Sequence, residues 1–166
     1  MKIRNLLFVP ILSVIFISSC DLLNNQNETG SVELTCKVTY MNGTTSLDSL
    51  FFTEDDILWF DSTTNQLKLK AIPAIKELQS FRNFTFYLGT DSLFTARLAL
   101  DIMSSIEDDL VLHYNSEDGN LYLEDGYPMW INYPGSISRR AQNKERRAGN
   151  WKRFIERLEK TGKLKV

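Results

Sequence analysis

Val32-Glu-Leu-Thr-Cys-Lys-Val-Thr-Tyr40 alternates apolar and polar residues without a break, and Asn42-Gly43 stands just beyond it. Nothing else in the chain constrains the fold as strongly. A period of two belongs to a strand with one buried face. Asn-Gly supplies the positive φ angles that a two-residue hairpin turn needs. Such a turn pairs positions summing to 85, which sets Lys37 opposite Asp48 on a polar face. It also sets Val38 opposite Leu47 and Leu34 opposite Phe51 on an apolar face, so strands are expected near 32–41 and 44–52. Cys36 falls on the apolar side and reads as a buried structural thiol, since a reactive one needs exposure and a neighbouring base.

Similar signals continue downstream. Thr53-Glu-Asp-Asp56 has the form of an N-cap with acids in the first turn, predicting a short helix through Ile57-Leu-Trp-Phe60. Gln66–Ala71 alternates, and Pro73 suits the first turn of a helix over 74–81. Phe84, Phe86 and Leu88 share a strand face, and Gly89-Thr-Asp-Ser92 turns the chain into a strand over 93–100. A last hairpin joins Leu110–Tyr114 to Leu121–Leu123 through Ser116-Glu-Asp-Gly-Asn120. These elements predict an α+β domain over 32–135, with short helices on an antiparallel sheet of six or seven strands built from hairpins.

The C-terminal segment, 136–166, differs in charge. Residues 139–166 hold eleven Lys/Arg against three Glu, whereas residues 20–138 hold six against eighteen acids. Ala148, Trp151, Phe154, Ile155 and Leu158 share one helical face, so this half is expected to dock as an amphipathic basic helix. Gly149-Asn150 is a candidate break within it, with Asn150 as a cap, and Thr161-Gly162 a candidate end. Upstream, Arg139, Arg140, Arg146 and Arg147 have only Ala141 beside them to bury. They are candidates for binding an anionic surface: the domain's own acids, lipid headgroups or an acidic partner.

The N-terminus places the protein. Lys2 and Arg4 precede the apolar run Leu6–Ile17, which is interrupted by Pro10 and Ser13. Its twelve residues reach about 18 Å as a helix, short of the roughly 30 Å hydrocarbon core of a bilayer. A basic start, a short apolar core and a small pair, Ser18-Ser19, form a signal peptide. Ile17-Ser18-Ser19-Cys20 then resembles the bacterial lipobox. That resemblance implies lipidation of Cys20 and removal of residues 1–19. Residues 20–31 read as a polar tether, and two or more acyl chains make the anchor effectively permanent. Cleavage takes Lys2 and Arg4 away, leaving 17 cationic against 21 acidic side chains and Cys36 as the remaining thiol. No internal disulfide is then expected, so the apolar core must suffice.

Little in the chain points to catalysis. The single histidine, His113, has no serine or cysteine motif beside it. The acids at Glu54-Asp-Asp56, Glu107-Asp-Asp109, Glu117-Asp118 and Glu124-Asp125 sit beside turns and lack calcium-loop spacing. No cofactor, metal or nucleic acid is expected. Tyr127, Trp130 and Tyr133 crowd an irregular segment with two prolines and two glycines, where rings either pin the loop to the sheet or stack on sugars.

Phe52–Leu67 is similar to a segment of small, uncharacterised Bacteroidetes lipoproteins, which carry no assigned activity. Asp48-Ser-Leu50, Asp61-Ser-Thr63 and Asp91-Ser-Leu93 resemble the O-glycosylation acceptors of the same phylum. The expectation is a non-catalytic binding or assembly lipoprotein of the cell envelope, held at the outer membrane and partnered by another envelope protein. A glycan-binding accessory protein using Tyr127–Tyr133 is the alternative, and a carboxylate-based hydrolase ranks below both.

Overall fold

The computed structural model describes residues 32–40 and 49–166. Cys20, the tether and the Asn42-Gly43 turn, with Leu47 and Asp48, lie outside the described residues. A single sheet of nine strands carries the fold: β1 (Leu34–Tyr40), β2 (Ser49–Thr53), β3 (Ile57–Asp61), β4 (Gln66–Leu69), β5 (Phe81–Leu88), β6 (Asp91–Leu100), β7 (Val111–Asn115), β8 (Asn120–Glu124) and β9 (Leu164–Lys165). Among the described residues two helices accompany it, the four-residue α1 (Ile75–Leu78) and the long α2 (Ser136–Lys160). The order across the sheet is β2-β1-β5-β6-β7-β8-β4-β3-β9. It is larger than the expected six or seven strands, and mixed, because β6 pairs β7 in parallel and β3 pairs β9 in parallel.

The sheet must curl. β2 and β3 stand first and eighth in the order, seven strand spacings apart, or about 34 Å if flat. Yet only a 3-10 turn of three residues, Glu54–Asp56, joins them, spanning about 6 Å. The curled sheet wraps α2. Phe154, with no exposed surface, packs edge-on against Phe60 of β3 at 5.3 Å, Phe86 of β5 at 5.8 Å and Phe94 of β6 at 5.4 Å. α2 therefore supplies Phe154 and Leu158 to the main core, the docking that its apolar face leads one to expect. Leu158 is equally buried, and Trp151 packs on Phe60 and Phe94.

Other expectations need correction. The β1–β2 register pairs Cys36 with Phe52 and Thr35 with Thr53, then shifts at a bulge to pair Lys37 with Leu50. Leu34 is thus not opposite Phe51. The odd offset from the expected register turns Phe52 inward, where it meets Phe86 at 5.7 Å, and places Phe51 over Phe84. Thr53 does form a capping box with Asp56, but the turn gives way at once to β3 rather than to a helix. Ile57 and Phe60 are both buried although three apart, because a bulge between Ile57 and Trp59 lets Leu58 face out. Helix 74–81 shrinks to α1, and Phe81 already begins β5.

Gly149-Asn150 does not break α2, which runs unbroken for 25 residues. Asn150 donates its amide to the Leu93 carbonyl at 2.6 Å and so ties the helix to β6 instead of capping it. Thr161-Gly162 does end the helix: Gly162 takes φ +69°, and the Lys163 N–H returns to the Leu158 carbonyl at 2.8 Å.

Candidate functional site

α2 packs on one face of the sheet. On the opposite face of β6, β7 and β8, two loops cover a smaller apolar group of Ala99, Val111 and Tyr127. Loop 101–110 links the parallel strands β6 and β7, and loop 125–135 leads from β8 into α2. Glu107 and Tyr127 exchange backbone hydrogen bonds of 2.8 and 2.9 Å, which fasten the loops together. Gly126 permits this approach. Its φ is +119°, and a Cβ there would lie 2.8 Å from the Glu107 carbonyl and collide with the Arg140 guanidinium.

Between these loops opens a cleft of about 590 Å³ with His113 on its floor. The size suits a ligand or a side chain. His113 Nε2 stands 2.7 Å from Asp101 Oδ1, and Nδ1 stands 3.4 Å from Glu124 Oε2. Asp101 also accepts from the Ser116 N–H at 2.7 Å and the Ser116 hydroxyl at 2.8 Å. Burial lowers the His113 pKa, but Glu124 and Asp101 outweigh it, so the imidazole is shifted towards its charged form. Burial raises the Asp101 pKa, yet its bonds from Ser116 and His113 bring it below the ordinary value.

Both ring nitrogens face carboxylates, Nε2 within hydrogen-bond reach and Nδ1 buried without a hydrogen-bond partner. In a serine relay the imidazole bridges serine and acid; here Asp101 bridges Ser116 and His113. The two carboxylates flank the imidazole, one at each ring nitrogen. Among the described residues, no three His, Cys, Asp or Glu side chains are gathered for a metal ion.

The three candidate aromatics separate. Tyr127 turns inward, 9% exposed, with its ring 4.9 Å from His113. Tyr133 donates its hydroxyl to Asp108 and lies under the Arg139 guanidinium, 5.0 Å from the ring centre. Trp130 stands free on the cleft rim, 79% exposed, beside Met129 and Ile106, each more than half exposed.

The four arginines meet the domain's own acids. Arg139 bonds Asp108 at 2.6 Å, and Arg140 lies 3.5 Å from the same carboxylate while donating to the Pro128 and Met129 carbonyls. The Tyr133 hydroxyl, then Arg139, hold the Asp108 carboxyl below its usual pKa. Arg146 bonds Asp109 at 2.8 Å, and Arg147 joins Asp109 and Asp125. Arg147 is the buried member, and burial lowers the pKa of its guanidinium. The basic stripe therefore pins α2 to both loops.

A second groove, about 530 Å³, lies between Val32, Leu88–Asp91 and α2. Its arginines are already engaged, Arg153 with Asp91 and Arg157 with Glu54. The sequence reading missed Asp101 and Glu124 as partners of His113, and so missed the cleft itself. Comparison with known proteins adds no relative: the chain matches no family model, no curated protein and no solved structure.

Proposed function

We propose that the chain is a non-catalytic binding or assembly lipoprotein of the bacterial cell envelope, anchored through Cys20 at the outer membrane. Its partner is another envelope protein, engaged through the Trp130 cleft. One observation carries this reading: Trp130 is exposed beside aliphatic Met129 and Ile106, over a histidine whose nitrogens both face carboxylates. Tryptophan and methionine are enriched where proteins meet. A sugar site needs several free aromatic faces or a polar rim, and here two of the three rings are engaged by the protein itself.

Two experiments test the two parts. Cys20→Ala should move the protein out of the detergent-extracted membrane fraction, and the variant should lack the lipid mass that the wild type carries. Retention of the variant in membranes would sink the anchor. For the cleft, a photocrosslinking residue at position 130 should capture one discrete envelope protein in native cells, and the same residue at exposed Leu58 should not. Equal capture at both positions, or none at either, would refute the assignment of this face.

Trp130 shares the cleft lining with two carboxylates, Asp101 and Glu124, which favours a second reading as a glycan-binding accessory protein. Saturable binding of oligosaccharides lost in Trp130→Ala, with no crosslinked protein, would establish that reading instead.

A further inference from the structure

The Trp130 cleft has a charge character that narrows its partner. Three charged side chains line it, Asp101, Glu124 and His113, and with the imidazole protonated they sum to −1. Glu124 is the least satisfied of them. Among the described residues its carboxylate faces one polar group, the buried His113 Nδ1, at 3.4 Å and without a hydrogen bond between them, whereas Asp101 accepts from three groups. The Ser105 hydroxyl, also on the wall, is buried with no hydrogen-bond partner. Nearby cations do not complete the site: Arg97 is held by Glu107 at 2.6 Å, and Arg140 faces Asp108 and the loop carbonyls. Trp130 lines the same cleft with its indole 79% exposed, and a ring quadrupole attracts a cation just as a carboxylate does.

We infer that the cleft receives a lysine or arginine side chain of the partner protein, its charged head at Glu124, its stem along Trp130, and apolar neighbours on Met129 and Ile106. A long cationic side chain has the two parts this site has, an apolar stem and a charged tip. A pyranose would find hydroxyl acceptors on the floor but only one ring and an aliphatic rim. This inference rests on the protein-binding reading above and specifies its chemistry.

The test uses the chain from residue 20 in detergent micelles. Four probes are titrated: a capped octapeptide of alternating leucine and lysine, the same peptide with citrulline or glutamate for lysine, and a mixed oligosaccharide series. Calorimetry is the readout, with Trp130→Phe difference fluorescence to report the indole. The lysine peptide should bind saturably, and the citrulline and glutamate peptides at least tenfold more weakly. Glu124→Gln, which keeps the side chain's shape, should weaken the lysine peptide about tenfold, the scale of one charge-assisted contact. Unchanged melting of that variant would show that the fold is intact; if it unfolds, the peptide comparison on wild type still decides. Equal affinity for the lysine and citrulline peptides would overturn the cationic inference while leaving a protein-binding apolar cleft. Oligosaccharide binding with no peptide binding would overturn both.

Discussion

Arg157 of α2 forks onto Glu54, with Nε 2.6 Å and Nη2 2.9 Å from the two carboxylate oxygens. Glu54 also accepts the Leu34 N–H at 3.1 Å, so one side chain joins β1, the β2–β3 turn and the helix. Lys163 supports the same seam by donating to the Glu54 and Ile57 carbonyls at 2.6 and 2.7 Å. This is where the curled sheet comes round upon itself.

The first prediction follows from the burial of that pair, whose side chains are 13% and 10% exposed. Arg157→Met removes one partner and leaves a buried carboxylate, at a cost of about 3–5 kcal/mol. Adding Glu54→Gln removes the stranded charge and keeps an acceptor for Leu34. The double variant should therefore recover much of the loss. Urea midpoints for the four members of the cycle measure this. A double variant no more stable than Arg157→Met alone would show that the pair is not coupled.

The second concerns the core under α2. Phe154→Ala empties a fully buried site among Phe60, Phe86 and Phe94 and should cost about 3–5 kcal/mol. Trp151 is larger but only partly covered, so Trp151→Ala should cost less. The reverse order in thermal or urea unfolding would contradict the placement of the helix.

The third separates two adjacent arginines. Arg146 is 69% exposed at its side chain and Arg147 is 9% exposed. Arg146→Gln should change stability by no more than about 1 kcal/mol, as exposed pairs do. Arg147→Gln leaves Asp109 and Asp125 without their shared donor and should cost about 1–3 kcal/mol. Because all four arginines of 139–147 face internal acids, neutralising them should loosen the fold rather than abolish binding to anionic vesicles. A vesicle co-sedimentation assay, read beside the melting curves, distinguishes the outcomes.

Much of this arrangement was legible in the sequence, and the misses have physical causes. β5 to β8 follow from alternation and turn residues, and the apolar face of α2 follows from its helical spacing. The β1–β2 register was misread because Phe51 and Phe52 are both apolar, and a bulge rather than a turn decides which is buried. β3 looked helical because Thr53-Glu-Asp-Asp56 does form a capping box, which here closes only a three-residue 3-10 turn. The parallel pairings β6–β7 and β3–β9 are long-range, and no local pattern encodes them. The cleft was not visible. The observed β7–β8 register sets His113 opposite Tyr122 and makes Glu124 its diagonal neighbour on the same face, but the expected hairpin carried no register and stopped at Leu123. Asp101 reaches the other ring nitrogen only through the β6–β7 crossover, which the sequence did not announce.

The last prediction is the pH dependence of that cluster. His113 faces Asp101 through one nitrogen and Glu124 through the other, with the Tyr127 ring beside it and Asp118 acting at longer range. Its folded-state pKa is raised, because the two carboxylates outweigh the lowering caused by burial. A raised histidine contributes stability that is fully present below its unfolded value, near 6.5, and is lost as pH rises through the folded value. Asp101 works in the opposite sense: its pKa is lowered, so its contribution is present above its unfolded value near 3.8 and fades as pH falls through the folded one. The difference in melting temperature between wild type and His113→Gln should therefore be greatest between the two windows, near pH 5 to 6. It should shrink as pH rises through the raised folded-state value of His113, and again as pH falls through the lowered folded-state value of Asp101. Melting curves of both proteins at half-unit pH steps measure this directly. A difference that stays constant from pH 5 to 9 would mean that His113 is not charged between its two acids.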